Sequence, residues 1–508
     1  MKTYTVTRKG FLSMATSMAA MLAGCASQAQ SEAGSAAGES VAADASTSTG
    51  ARETITDASN GGHAIAVSVE TAEYKAVDVV KTGDDEGDEA DFYGTNAAVY
   101  AEEGATINLD DVTVSTDGAH ANAVFSYGEG STINIANSSI ETVSNNSGAI
   151  MVTGGGKLVA TDVTAHTTGN SSAPIRSDRG GGLQEVKGGT YTSDGVGSPV
   201  IYSTADVKVS DARLESTSSQ GVVVEGKNSV LLSGCELIAN NISKNSDKSD
   251  WYQAVMIYQS MSGDAAQGEA TFKAEGSTIT NRNGDVFFVN NTVCTIGLEG
   301  TTFVNEDAEG NFLRAATAGW GNEGSNGGQV TIDARSQEIE GRMLVDEVSH
   351  LNLLMSKGST FVGAINPEGA GGEVYVSLED GCSWELSGDS NITSLTCGTD
   401  AIKLGGHTLM VGDAAYEEGA ASTGEAIEAK VSESTGGPGA GGEPPEKPGE
   451  GGPGAGGPGA GGEPPAGGEP PAKPGESGTS AGGSGAAGEP PAKPGTSGTS
   501  AGGSNTSA

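Results

Sequence analysis

One short template recurs along this chain at an offset of about two dozen residues, and that repetition limits what the chain can fold into. Ile107-x-Leu109-x-x-Val112-x-Val114 aligns with Ile133-x-Ile135-x-x-Ser138-x-Ile140, and then with Leu158, Ala160, Val163 and Ala165. It returns at Val207, Val209, Ala212, Leu214 and at Val230, Leu232, Cys235, Leu237, stretching where insertions occur, as between Leu237 and Val255. A second apolar column precedes it at Ala98, Val124, Ile150, Ile175, Ile201, Val223, Met256, Phe287 and Leu313. A third feature is a corner leading into a strand: KGGTYT at 187–192, EGSTIT at 275–280, EGTTFV at 299–304 and KGSTFV at 357–362.

The i, i+2 spacing is the strand period, because alternate side chains of an extended chain share a face. The three-residue gap between pairs is a corner, where Gly, Asn or Asp turns the backbone. Several short strands per repeat fit a parallel β-helix, in which no coil covers its own apolar face and stacking supplies the core. A β-sandwich would show turn signals every 8–12 residues too, but its apolar residues would not align at one offset. The expected class is all-β, a single-stranded parallel β-helix over residues 61–412. Roughly 350 residues at about 26 per coil give some 13 coils, about 60 Å of stacked strands at ~4.8 Å each.

The flanks read differently. Residues 1–24 have a basic start (Lys2, Arg8, Lys9), an apolar Met/Ala-rich stretch from Phe11 to Ala23, and the ending Leu22-Ala23-Gly24 before Cys25. This is an export signal, too short to remain across a membrane. It resembles a bacterial lipobox, which implies lipidation of Cys25. Thr7-Arg8-Lys9-Gly10-Phe11-Leu12 resembles a twin-arginine signal with Lys for the second Arg, leaving the export route open. Residues 25–60 are Ser, Ala, Gly and Glu and read as a flexible tether. Residues 413–435 are a connecting segment, and 436–508 a Gly/Pro-rich disordered tail. No sorting signal or terminal hydrophobic helix follows.

Charge narrows the partners. The 508 residues carry 66 acidic against 26 basic side chains, a formal charge of −40. Nucleic acid, whose affinity comes from Lys and Arg on phosphates, is not an expected partner.

The chain offers little that looks like catalysis. His63, His120, His166, His350 and His407 are scattered without metal-ligand spacing and read as surface residues. Asp84, Asp85, Glu86, Asp88, Glu89 and Asp91 are dense enough for Ca²⁺ to be considered, but they lack the Asp-x-Asp-x-Asp-Gly register, so a solvated loop is preferred. No metal site and no cofactor are assigned. Arg176, Asp178 and Arg179 in SDRGGG, with Lys187 following, form the cluster best suited to a polysaccharide. Tyr202, Ser203 and Thr204 occupy the equivalent places of the next coil, so the second carboxylate that hydrolysis of a glycosidic bond needs is missing. Arg176, Asp178, Arg179 and Tyr202 are therefore candidate ligand contacts, and no catalytic residue is assigned. Tyr100, Tyr127, Tyr202 and Tyr258 lie near one edge but not in one column. Of the cysteines, Cys235 falls in the core column of Val112, Val163 and Ala212, and Cys294 in that of Ile107 and Val230. Cys382 and Cys397, 15 residues apart, are the disulfide candidates.

NSGAIMVTGGG (146–156), SSAPIRSDRGGG (171–182), GGTYTSDGVGSPVIYSTADVKV (188–209) and VVVEGKNSV (222–230) resemble the repeat signature of adhesin-like β-helix proteins of gut bacteria. WELSGDSNITSL (384–395) and GGHTLMV (405–411) resemble the terminal coils of such proteins and of autotransporter passengers. The resemblance spans about residues 90–412 and implies a right-handed β-helix of pectin-lyase-like shape, exported to the cell surface. It implies no activity, and no catalytic residue of the lyases finds a matching position. No translocator barrel follows, so an autotransporter route is not expected. The expected function is non-enzymatic: a lipid-anchored adhesin on the outer face of the cell membrane, contacting host or bacterial glycans or proteins. The alternative is a polysaccharide-binding or polysaccharide-degrading β-helix.

Overall fold

Each coil contributes one strand to each of three sheets, and the repeat explains why. In Val99–Glu102, Thr106–Asp110 and Thr113–Thr116 the alternate residues Val99, Ala101, Ile107, Leu109 and Val114 are buried, and the chain then climbs to Val124–Tyr127. The computed structural model describes residues 52–429 except Asn245, Ala370 and the side chain of Asp88. Cys25, the signal segment 1–24, most of the tether and the tail 436–508 lie outside the described residues.

Sheet A has ten strands, from Glu53–Asp57 to Thr302–Asn305. Sheet B has eleven, from Ile65–Ser68 to Met343–Val345, and sheet C thirteen, from Thr71–Lys75 to Ser394–Thr396. A four-stranded sheet continues past the end of sheet A, from Glu338–Glu340 to Ile402–Lys403. Successive strands pair in parallel, as the stacking argument requires. The exception is the closing hairpin of Leu409–Val411 with Ala414–Ala415. The chain is a parallel β-helix.

The register follows the sequence template. Ile107 stacks on Ile133 and Ile133 on Leu158, while Val114, Ile140, Ala165, Tyr191, Leu214 and Leu237 form another column. One continuous apolar cluster runs from Ile65 to Leu409. The corner between sheets C and A repeats a left-handed residue: Asp111, Asn137, Asp162, Gly188, Asp211, Gly234, Gly276 and Gly300 all have φ between 50° and 68°. Asn, Asp and Gly tolerate that conformation best, which is why those residue types mark the corners.

Hydroxyls carry the turn from sheet A to sheet B. The backbone N–H of Ala121 donates to Ser147 Oγ (3.1 Å), that of Ser147 to Ser172 Oγ (3.0 Å), and that of Ser172 to Ser198 Oγ (2.9 Å). Thr142, Thr167 and Ser193 donate to the carbonyls of Ser147, Ser172 and Ser198 in turn. Buried backbone groups that no strand pairs are thereby satisfied.

Several expectations need correction. The first coil begins at Glu53 rather than residue 61, because Glu53–Asp57 pairs with Val77–Lys81 despite its polar composition. The segment after residue 412 is not a mere connector: Ser422 bridges Cys397, and Ile427 exchanges hydrogen bonds with Asn352. Val99, Val222 and Val255 hold the register of the second column, not Ala98, Val223 and Met256: Val223 and Met256 face outward, and Ala98 is buried one residue before the column. Runs apolar on both faces hide a one-residue slip, which turns a side chain to the other face. Cys294 stacks between Ala270 and Val330, one inward position before Ile296, which holds the column of Val230 and Phe272.

All four described cysteines are free and buried, so the Cys382–Cys397 disulfide is not formed. Pairing of Ser377 with Thr396 sets Cys397 over Leu378, whereas pairing of Trp384 with Ile402 sets Cys382 under Asp400. The two thiols therefore belong to different columns. His350 is buried and His120 is mostly so, rather than at the surface.

Candidate functional site

The outward face of sheet B gathers the residues singled out in the sequence. Strand alternation projects one outward column of Tyr100, Phe125, Met151, Arg176, Tyr202, Val223, Met256, Phe288 and Arg314, each paired with the next. Two residues on, Tyr127 pairs with Thr153, and Glu225 pairs with Tyr258 and Tyr258 with Asn290. The four tyrosines thus fall into two columns, Tyr100 with Tyr202 and Tyr127 with Tyr258. Asp178 and Thr204 follow the strands Ile175–Ser177 and Ile201–Ser203 at the level of the second column.

This face is roofed by insertions between coils. The acidic segment carries the helix Asp88–Tyr93, whose Phe92 carbonyl accepts Thr153 Oγ1 at 2.7 Å. Trp251, from the segment before the strand Gln253–Tyr258, packs on Phe288 and over Arg314. Trp320, from a later insertion, meets Tyr258 edge-on. Val223, Met256, Tyr258, Phe288 and Ala316 form a second apolar cluster under these straps.

Four carboxyls and two guanidinium groups meet under the roof. Arg176, 8% exposed, lies 3.2 Å from Asp178 Oδ2 and 3.4 Å from Asp91 Oδ1. Asp91 also meets His120 Nδ1 at 3.2 Å. Arg179 holds Asp264 Oδ1 through Nη2 at 2.6 Å and Nε at 3.1 Å, with its guanidinium 3.9 Å above the Phe92 ring. Asp178 Oδ1 accepts the Arg179 backbone N–H at 2.9 Å. Gly180 makes this turn feasible: its φ is +86°, and a Cβ there would stand 2.8 Å from Gly154 Cα. Glu225 Oε2 accepts the hydroxyls of Tyr202 and of Tyr258, the latter at 3.0 Å.

Burial dominates the electrostatics. It pushes the Asp178 carboxyl up to about 7, with the Asp264 and Asp91 charges adding to the effect and Arg176 opposing it. Burial also raises Glu225 and, beside that carboxylate, the phenols of Tyr202 and Tyr258. Asp91 moves the other way, because Arg176 and His120 outweigh its burial.

Arg176, Asp178, Arg179 and Tyr202 are therefore brought together, while Lys187 is exposed on sheet C. Sequence reasoning missed Glu225 and Asp264, and read Asp91 as solvated. The signal was the uneven spacing of the repeat: the long insertions that carry Asp91, Trp251, Asp264 and Trp320 return over sheet B. Asp178 and Glu225 lie two coils apart, about 10 Å at ~4.8 Å per strand. Both already accept internal hydrogen bonds and are shielded from solvent. Among the described residues no group of three or more His, Cys, Asp or Glu is placed to hold a metal ion.

Sheet C presents a different surface. Its outward residues are polar and uncovered along much of its length, with Asn134 donating to Asn108 (2.8 Å) and Glu185 lying between Lys157 (3.2 Å) and Lys208 (3.5 Å). Comparison with family models, curated proteins and solved structures found no match to this chain.

Proposed function

We propose that this chain is a non-enzymatic, adhesin-like surface protein, anchored through lipid on Cys25 and contacting glycans or proteins of host or bacterial surfaces. The observation that carries this reading is the contrast between two faces. The carboxylates and arginines of sheet B are consumed by one another beneath their own straps, whereas the thirteen-stranded sheet C presents a largely polar outward face that is uncovered along much of its length. Rigid, repetitive polar surfaces suit extended partners, since many weak contacts act together once aligned. The lipobox and the surrounding composition support display at the outer face of the membrane. The test is binding of the purified, unlipidated chain to a glycan array, to mucin and to host cells. Replacing Lys157, Glu185 and Lys208 with Ala weakens attachment on this reading, and equal attachment by the triple variant refutes the assignment to sheet C.

A polysaccharide-degrading role is favoured by one observation, the placement of Asp178 and Glu225 on one outward face. Such an enzyme would release unsaturated product from polygalacturonate or new reducing ends from a neutral glycan, and R179A would abolish it. Absence of both products across acidic, neutral and basic glycans removes that alternative.

A further inference from the structure

We propose that the segment Ser260–Gly268 is a pH-released strap, closed over the outward face of sheet B in mild acid and lifted at neutral to basic pH. Its basis is a count of charges in a confined space. Asp91, Asp178 and Asp264 meet two permanent cations, Arg176 and Arg179. With Asp178 protonated, the carboxylates of Asp91 and Asp264 balance the two guanidinium groups. Loss of that proton leaves an uncompensated negative charge where water is largely excluded, a costly arrangement.

The strap is the part able to yield. It carries Asp264, which Arg179 clips at 2.6 Å, and its further ties to the coils include the Lys227 N–H to Ala266 carbonyl bond (2.9 Å) and the hydrogen bond from Asn291 Nδ2 to the Gln259 carbonyl (2.9 Å) just before it. Met261 at its tip is exposed. Asp91, Asp178 and Glu225, by contrast, sit on the coils or on the helix that Thr153 and Arg176 hold. The groups facing Asp178 are Arg176 and Arg179 from its own coil, Asp91 from the helix with His120 behind it, Asp264 from the strap, and Tyr202 from the next coil, with Glu225 and Tyr258 beyond. Tyr202 and Tyr258 remain neutral phenols throughout, since burial raises both. The Asp178 carboxyl, pushed up to about 7, is the group that switches in the physiological range. Once ionised, it repels Asp264 and competes with it for the nearby cations. Lifting the strap uncovers Tyr202, Tyr258 and Glu225.

Hydrogen exchange of the full chain at about pH 5.5 and about pH 8, corrected for intrinsic rates, tests this. Protection of residues 260–268 should fall by about tenfold or more at the higher pH while the strand Gln253–Tyr258 stays protected at both. D178N, which cannot ionise, should keep the segment protected at both pH values. D264N, which loses the clip at a partly exposed position, should leave it unprotected at both. Equal protection of the wild-type segment at the two pH values overturns the proposal. So does wild-type pH dependence in D178N, or full protection in D264N.

Discussion

Trp384 lies against Phe361 with ring centroids 5.5 Å apart and planes 24° from parallel, filling the core where sheet A has given way to its four-stranded continuation. Its indole is fully buried and donates to the Gly363 carbonyl at 3.1 Å. Trp384→Ala removes that volume and one of two hydrogen bonds to the Gly363 carbonyl, which still accepts the Ser387 N–H at 3.2 Å, a loss of about 3–5 kcal/mol. Coils contact chiefly their neighbours, so the damage should stay local. Hydrogen exchange should show residues 360–411 opening while coils around residue 150 keep their protection. Trp384→Phe should cost less, because it keeps the stack and forfeits the hydrogen bond.

The serine ladder makes a second, sharper prediction. Ser172 Oγ accepts the Ser147 N–H and donates to the backbone, while the Ser172 N–H is itself taken by Ser198. Ser172→Ala strands a buried donor at a cost of about 1–3 kcal/mol. Ser172→Thr keeps the hydroxyl and should cost less unless the added methyl clashes. Urea denaturation of both variants beside the wild type measures the difference.

His166 bridges two coils of sheet A, with Nε2 2.8 Å from Asp194 and Nδ1 3.0 Å from Glu141. Partial burial lowers its pKa, but hydrogen bonding to Asp194 and the charges of Glu141 and Asp194 outweigh that, and the net direction is upward. A raised imidazole stabilises the fold fully below its unfolded value, about 6.5, and that contribution is lost as pH rises through the folded value. Solvent screening holds the effect to about 0.5 kcal/mol. NMR titration should find His166 above its free value, and D194N should bring it back down.

How far the sequence reveals this molecule depends on which side of a strand is read. Inward residues repeat because every coil must stack on the last, so Ile107, Ile133 and Leu158 announce their column, and Asp111, Asn137 and Gly188 their corner. Outward residues obey no such rule. Glu225 ends an apolar VVVE string, and Asp264 sits in a polar insertion 85 residues beyond its partner Arg179. Nothing periodic links them, because the path of a strap back over the sheet depends on its own length and turns. Val223 and Met256 were misassigned for a related reason: where straps cover the sheet, both faces of a strand are apolar and alternation vanishes.

The cysteines give a final test of the register. Cys235, Cys294, Cys382 and Cys397 are all buried and free, and burial raises the thiols of Cys235 and Cys294, which makes the reactive thiolate scarcer still. In the native protein none of the four should react with iodoacetamide on the timescale that labels a free thiol. In denaturant all four should be alkylated without prior reduction. A disulfide between Cys382 and Cys397 would leave two of them unlabelled until a reductant is added. It would also require Cys397 to leave Leu378 and turn toward the column of Asp400, shifting the last strand of sheet C out of its pairing with Tyr375–Ser377. Intact mass after alkylation in denaturant therefore reads the stacking of the terminal coils directly.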